Sequence, residues 1–173
     1  MIETPRLVLR RWREADRAPF AALHEDPEVA YWLGGARFVA RAAEAIDRYN
    51  LGIEERGFGK FALERLDDGA LLGAVGVTPV YRALPLEGFE IGWRLARWAW
   101  GQGYATEAAQ AAMADGFRHG LEEIVAFTTQ TNLRSQAVME RIGMGREPAR
   151  DFDHPEIEEG DPLRRHLVWA ARR

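Results

Sequence analysis

The chain has 173 residues, of which 47% are hydrophobic and 29% are charged, a balance typical of one folded domain rather than a disordered segment. With 23 basic and 27 acidic residues its formal net charge is −4, which argues against a nucleic-acid-binding protein. Cysteine is absent, which excludes disulfides, thiolate metal sites and a cysteine nucleophile and fits a reducing, cytoplasmic location. No apolar run is long enough to span a bilayer, so no membrane contact is expected.

The first part of the chain predicts one strand followed by two helices. The consecutive apolar residues Leu7, Val8 and Leu9 predict a strand over residues 6–12, and alanine and leucine at helical spacing predict a helix over residues 14–24. Pro27 and the pair Gly34-Gly35 interrupt the chain before a second helix, which is predicted over residues 39–55.

The period then changes to that of strands joined by short turns. Asp67-Asp68-Gly69 is typical of a hairpin turn, and residues 89–95 alternate between two faces, with Glu90 and Arg94 on the same one. The other predicted elements are strands over residues 61–64, 71–81, 124–129, 145–152 and 164–169 and helices over residues 104–119 and 135–142.

The predicted order of elements, β-α-α-β-β-β-α-β-α-β-β, indicates the fold class. Three consecutive strands with short connections favour antiparallel pairing, and the strand-helix-strand crossover that follows adds a parallel pair. We therefore expect a single domain over residues 1–173 of the α/β (α+β) class. Its central sheet is expected to be mixed, mostly antiparallel and about seven-stranded, with helices on both faces.

The most informative segment is W-G-Q-G-Y-A-T-E-A, residues 100–108, which lies between a predicted strand and a predicted helix. Gly101 and Gly103 allow a tight turn that exposes main-chain N–H groups. The helix beginning at Tyr104 adds its own unpaired N–H groups and the positive end of its dipole. The segment therefore predicts a diphosphate cradle that needs no lysine, in keeping with the acidic net charge.

Two alternatives to this cradle are a dinucleotide-binding turn and a glycine-rich turn without a ligand. The dinucleotide fingerprint requires a third Gly or Ala where this chain has Thr106. That fingerprint also follows the first strand of its fold, whereas the segment here follows three predicted antiparallel strands. The ligand-free turn is disfavoured by a second motif downstream, in which Asn132 precedes a helix that carries Ser135 on its apolar face. Taken singly, Asn132 is typical of a helix N-cap and Ser135 of a hydroxyl bonded to the preceding turn.

The strand E-I-G-W-R-L at residues 90–95, the glycine segment and residues 132–144 together resemble the GNAT superfamily of acetyl-CoA-dependent N-acetyltransferases. The opening E-T-P-R-L-V-L-R at residues 3–10 resembles the branch that contains the ribosomal-protein N-terminal acetyltransferases. The similarity covers nearly the whole chain, and the predicted element order matches that of the family.

This resemblance implies that acetyl-CoA is the co-substrate. The family's pyrophosphate motif is Gln/Arg-x-x-Gly-x-Gly/Ala, and Trp100 stands where Gln or Arg is expected. The family holds the pantetheine arm in a gap where its fourth and fifth strands diverge at a bulge, which correspond here to residues 89–95 and 124–129. The cofactor-binding residues implied in this way are Trp93, Leu95, Trp100, Gly101, Gln102, Gly103, Tyr104, Ala105, Thr106 and Asn132.

The reaction implied by the resemblance is a direct attack of a primary amine on the acetyl thioester, without an enzyme nucleophile. Glu90 is the candidate catalytic base, the alternative being a solvent-exposed strand carboxylate, and Ser135 is the candidate proton donor to the leaving thiolate. Asp153 and His154, in the loop before the last strand, are candidate substrate-binding residues or caps of that loop. The histidines lack metal-ligand spacing, so no metal is expected.

The acceptor class stays open between a protein N-terminus and a small-molecule amine. Dimers are common in the branch, so the resemblance makes a homodimer an expected assembly. The alternative function is a non-catalytic acyl-CoA-binding sensor with the same fold, which would bind the thioester without turnover. A dinucleotide-binding oxidoreductase is the third candidate.

Overall fold

The computed structural model describes residues 1–33 and 42–173. Its strands are β1 (Ile2–Glu3), β2 (Leu7–Arg10), β3 (Lys60–Arg65), β4 (Leu71–Pro79), β5 (Phe89–Leu95), β6 (Glu123–Thr129), β7 (Gly145–Arg146), β8 (Phe152–Asp153) and β9 (Arg165–Arg172). Its α-helices are α1 (Arg17–Glu25), α2 (Pro27–Trp32), α3 (Ala42–Arg56), α4 (Tyr104–Arg118) and α5 (Leu133–Arg141).

The strands form one mixed sheet in the order β1-β2-β3-β4-β5-β6-β9-β7, with β8 also paired to β9. Every pairing is antiparallel except β5 with β6, whose connection contains α4. The hairpin turn at Asp67-Asp68-Gly69 joins β3 to β4, and Gly69 there has a φ of +70°, which favours glycine. The predicted mixed, mostly antiparallel sheet is confirmed.

Two details of the sheet correct the sequence prediction of about seven strands. The described residues form nine strands, because the N-terminal residues Ile2–Glu3 add a short edge strand against β2. The strand predicted over residues 145–152 is two short strands instead, separated by a 3-10 turn at Pro148–Arg150. Proline has no N–H for the ladder, so the pairing with β9 stops there and resumes at Phe152.

The helices also differ from prediction at one point. Pro27 does not merely interrupt the chain but begins α2, where Asp26 is the N-cap and its side chain accepts a hydrogen bond from Glu28 N–H. Proline suits this first helical position because its fixed φ is already helical and its missing N–H would be unpaired. The predicted break at Gly34-Gly35 and the predicted start of the second helix at Val39 lie outside the described residues.

The sheet has helices on both faces, as predicted, and a hydrophobic core lies on each face. On one face, apolar residues of β2 to β6 pack against α4 and α5 in a cluster that includes Leu63, Val75 and Ala109. On the other face, the alternate positions Ala62 and Ala74 pack against residues of α1 to α3. In the described part of the chain no helix is long and apolar enough to cross a membrane.

Candidate functional site

A cavity of about 1130 Å³ opens where β5 and β6 separate. The two strands are paired at a single register position, Glu90 with Val125, and diverge beyond it. Residues 91–95 line one side of the cavity, while Phe127 and Thr128 of β6 line the other. No bulge interrupts β5, because its register with β4 is continuous from Phe89 to Leu95. The gap expected between these strands is therefore present, although it arises without a bulge in β5.

The glycine segment forms the end of the cavity at the start of α4. Gly101 and Gly103 have φ values of +75° and +79°, in the left-handed region. A Cβ on Gly101 would meet nothing within 4 Å, so the conformation and not the space requires glycine there.

The first turn of α4 presents unpaired main-chain donors to this end of the cavity. The first intrahelical bond runs from Glu107 N–H to the Gly103 carbonyl at 3.1 Å. The N–H groups of Tyr104, Ala105 and Thr106 therefore have no intrahelical acceptor, and all three residues line the cavity. Such a turn is a ready-made anion site.

A polar network fixes this turn to the N-terminal strand. Glu107 accepts hydrogen bonds from the Thr4 hydroxyl at 2.7 Å, from Arg6 N–H at 3.0 Å and from Arg6 Nε at 2.7 Å. These bonds outweigh the effect of burial and lower the pKa of Glu107. Arg6 Nη1 also donates to the Gln102 carbonyl at 2.9 Å, so Gln102, which does not line the cavity, contributes through its main chain.

Trp100 serves as a packing residue at the cavity wall. Its indole Nε1 donates to the Leu95 carbonyl at 2.9 Å, and the Arg134 guanidinium lies 5.0 Å from its ring centroid. Trp100 therefore ties the turn to the end of β5, in a slot where the family expects Gln or Arg.

Ser135 and Asn132 meet the cavity at the start of α5. The Asn132 side-chain oxygen accepts from Ser135 N–H at 3.2 Å, which confirms its N-cap geometry and leaves its amide nitrogen as a donor. Trp93 Nε1 donates to the Ser135 hydroxyl oxygen at 3.1 Å across the gap between β5 and α5. Since the oxygen is the acceptor in that bond, the hydroxyl hydrogen is left for another partner.

Four ionisable side chains meet on the face of β5 opposite α4, and we call Lys60, Glu90, Arg94 and His24 the charge cluster. Lys60 reaches this place because glycine lies opposite it on the next strands: Lys60 pairs with Gly76, and Gly76 with Gly92. Its Nζ donates to the Gly92 carbonyl at 3.1 Å, and a Cβ on Gly92 would lie 2.8 Å from that nitrogen.

Burial shifts the pKa values of Lys60 and Glu90 toward each other. It raises the pKa of the Glu90 carboxyl, and the Lys60 ammonium opposes that rise. It also lowers the pKa of Lys60 to about 8, although Glu90 acts in the opposite direction. Both side chains are half-buried, and neither lines the cavity.

Arg94 and His24 form the other half of the charge cluster. His24 Nδ1 lies 2.5 Å from the Phe20 carbonyl oxygen, and Arg94 Nη1 lies 2.6 Å from His24 Nε2. This geometry assigns the neutral ring, which donates from Nδ1 and accepts from Arg94 at Nε2. Burial, with the Arg94 charge as a second cause, lowers the pKa of His24 to about 4. Burial lowers the pKa of Arg94 itself as well.

The structure thus brings ten of the predicted site residues to one cavity: Trp93, Leu95, Trp100, Gly101, Gly103, Tyr104, Ala105, Thr106, Asn132 and Ser135. Glu90 lies just beyond the cavity wall in the charge cluster. Asp153 and His154 are not brought to it; Asp153 faces Arg165 at 3.3 Å, and His154 accepts from Glu156 N–H at 3.2 Å within its loop.

Sequence reasoning missed the side chains that surround Glu90. Lys60 is the sole lysine of the chain, so the sequence alone could have marked it as a candidate site residue. The residues that surround it in space lie on other elements. Arg94 could be placed on the same strand face as Glu90, while nothing in the sequence pattern links it to His24. Among the described residues, no group of three or more acidic, histidine or cysteine side chains is placed to hold a metal ion.

Comparison with known proteins places this geometry in a family. The acetyltransferase (GNAT) domain family matches residues 6–145. The Bacillus subtilis protein YnaD, described as an uncharacterized N-acetyltransferase, is 31% identical over 147 residues, which is 84% of this chain and 83% of YnaD.

Solved structures show the same fold. A GNAT-family acetyltransferase from Bacillus anthracis superposes with a TM-score of 0.79 at 24% identity, covering 99% of this chain and 97% of the other. The ribosomal L7/L12 alpha-N-protein acetyltransferase RimL, solved in complex with coenzyme A, superposes with a TM-score of 0.72 at 20% identity, covering 98% of this chain and 95% of the other.

Proposed function

Because the chain belongs to the GNAT acetyltransferase family, we propose that it moves the acetyl group of acetyl-CoA to a primary amine by direct attack in a ternary complex. The observation that carries this proposal is the turn at residues 100–106, whose unpaired N–H groups open into the cavity between β5 and β6. Acetyl-CoA is a large anionic substrate, and this cavity exceeds the roughly 300–1,000 Å³ of ordinary ligand pockets.

The residues around the cavity suit the parts of coenzyme A. The N–H groups of residues 103–106 would hold the diphosphate at the positive end of α4. The main chain of Trp93 and Leu95 borders the strand gap, where the pantetheine arm with its amide groups would lie. The free amide nitrogen of Asn132 supplies one further donor.

Glu90 is the proposed base. A free amine has a pKa of about 8 as an α-amino group and about 10 as a lysine, so a proton must be removed before attack at neutral pH. A carboxylate whose pKa is raised by burial is a stronger proton acceptor than an exposed one. The nearby Lys60 ammonium favours the ionised form of Glu90, which is the form that accepts the proton.

Ser135 is the proposed proton donor. As the amine nitrogen bonds to the acetyl carbon, the carbon–sulfur bond breaks and the thiolate of coenzyme A leaves. The Ser135 hydroxyl hydrogen is not used in the bond from Trp93, so it can be donated to that sulfur, and the serine oxygen takes up a replacement proton from solvent. The oxyanion that develops during attack needs a donor as well, which we assign to a main-chain N–H at Gly92 or Trp93.

A peptide N-terminus and a small-molecule amine both fit this chemistry, and Asp153 and His154 stay a prediction for the acceptor side. We propose a reducing, cytoplasmic setting, supported by the absence of cysteine. A homodimer is the proposed assembly, and neither nucleic acid nor a membrane is a proposed partner.

The test is thiol release from acetyl-CoA with a panel of amines and peptides, together with calorimetry of coenzyme A binding. We expect saturable binding and amine-dependent release, with Ser135→Ala lowering kcat and leaving the dissociation constant of coenzyme A unchanged. Tight binding without turnover of any amine would favour the acyl-CoA sensor. Binding of a nicotinamide dinucleotide that acetyl-CoA does not displace would favour the oxidoreductase.

A further inference from the structure

Two arginines of the sheet, the buried Arg10 and the half-buried Arg94, have opposite electrostatic surroundings. Arg10, which is 6% exposed, is neutralised by two carboxylates, Asp16 at 2.7 Å and Glu64 at 2.6 Å. Arg94 is bonded instead to the neutral ring of His24. Within the part of the chain whose side chains the structure describes, no carboxylate forms an ion pair with Arg94. Hydrogen bonds and ion pairs with Asp16 and Glu64 raise the pKa of Arg10, whereas burial lowers that of Arg94.

A half-buried guanidinium without an anionic partner is costly unless a ligand neutralises it. Arg94 lines the cavity, so a ligand in the cavity can reach it. The orientation of the Arg94 guanidinium is set by its contact with His24, which in turn donates to the Phe20 carbonyl. The contact with His24 occupies one side of the guanidinium. The remaining N–H groups of a guanidinium match the two oxygens of a carboxylate.

The charge cluster as a whole carries an excess of positive charge. Lys60 and Arg94 are cationic, Glu90 is the single carboxylate, and His24 is held neutral. Glu90 and Arg94 stand on one face of β5 with Gly92 between them, and the Lys60 ammonium lies over Gly92. A molecule that extends along this face with its amine toward Glu90 presents its other end to Arg94.

We propose that the acceptor is an amine that also carries a carboxylate, and that Arg94 binds this carboxylate. The inference rests on the proposed function and adds the substrate class to it. A free amino acid supplies such a group as its α-carboxylate, and a peptide supplies it as an acidic side chain near the N-terminus. The chemistry recognised at Arg94 is the same in both cases.

The test compares each amino acid with its amide, and alanyl peptides with or without a second-position Asp, as acceptors in the thiol-release assay. We expect the carboxylate form of the true acceptor class to exceed its amide in kcat/KM by about 100-fold, as for other desolvated ion pairs. Arg94→Gln should abolish this preference, so that the carboxylate form and its amide are used equally. Arg82→Gln, at an exposed loop position, is the matched control and should keep the preference.

A second readout separates failure of this inference from failure of the proposed function. Propionate and phenylpropionate cannot accept an acetyl group on nitrogen, so their binding is followed by the ring NMR signals of His24. We expect saturable shifts in the wild-type chain, none with the matching amides, and none in Arg94→Gln. Equal use of acids and amides, or shifts that persist in Arg94→Gln, would overturn the inference even if acetyl transfer is observed. Shifts without any acetyl transfer would support the carboxylate site and count against the enzyme.

Discussion

The diphosphate cradle at residues 100–106 and the charge cluster lie on the two sides of β5 and are built by different means. The cradle is one continuous segment that acts through main-chain N–H groups and two left-handed glycines. The charge cluster combines side chains of α1, β3 and β5 that are joined only by folding. Under the proposed function, the main chain of the cradle binds the substrate shared across the family, and the side chains of the charge cluster select and activate the acceptor.

The largest effect is expected when Glu90, the carboxylate of the charge cluster, is replaced. Glu90→Gln keeps the shape but cannot take the amine proton, so we expect kcat to fall by about 10²–10⁴-fold, the usual contribution of a general base. The cradle should be unaffected, so coenzyme A should bind as before by calorimetry. Glu87→Gln, at an exposed position of the preceding loop, is the control and should keep full activity. Loss of activity in both variants would contradict the assignment.

A second prediction concerns the stability that His24 contributes. Its pKa is lowered from 6.5 to about 4, so the unfolded chain binds the proton first as the pH falls. The contribution is complete above pH 6.5 and is lost as the pH falls toward 4, by about 3 kcal/mol in free energy of unfolding. Denaturant unfolding of wild type and His24→Asn across this range measures it. The variant should lose less stability between these two pH values, and identical pH dependence would refute the neutral, buried ring.

A third prediction tests the cradle. Gly103→Ala places a Cβ in the left-handed region at a cost of about 1–2 kcal/mol. We expect the free turn to relax out of this geometry, so that binding of coenzyme A must restore it and becomes roughly tenfold weaker. The pH profile of kcat should not move, because the charge cluster is intact. Gly160→Ala is the matched control, since Gly160 also has a positive φ and an added Cβ meets nothing within 4 Å. The control should lose stability and keep its affinity for coenzyme A; equal affinities in the two variants would remove the cradle from the site.

The smallest expected effect is a shift in the pH profile after Lys60→Met. The Lys60 ammonium favours the ionised form of Glu90, so its removal raises the pKa of Glu90 further. The acidic limb of the kcat profile should therefore move to higher pH, while binding of coenzyme A at the cradle stays constant. A limb that moves to lower pH, or does not move, would show that Lys60 does not act on Glu90.

Most elements and the cradle could be predicted because their signals are local. Gly101 and Gly103 stand next to each other in the chain and at the start of an alanine-rich helix, so turn and helix start can be predicted together. The split of residues 145–152 lies at Pro148, and the predicted strand runs across this proline although proline cannot donate to the ladder. Asn132 could be expected as both cap and ligand, and the structure confirms the cap without testing the ligand.

Most of the element order, the mixed sheet and the turn that opens α4 follow from local sequence signals, since each depends on residues a few positions apart. Only the tertiary structure decided the surroundings of Glu90, because Lys60 is 32 positions from its contact at Gly92 and His24 is 70 positions from Arg94. A pKa depends on distance, burial and neighbouring charge in space, and strand pairing brings those neighbours together without leaving a periodic pattern in the chain.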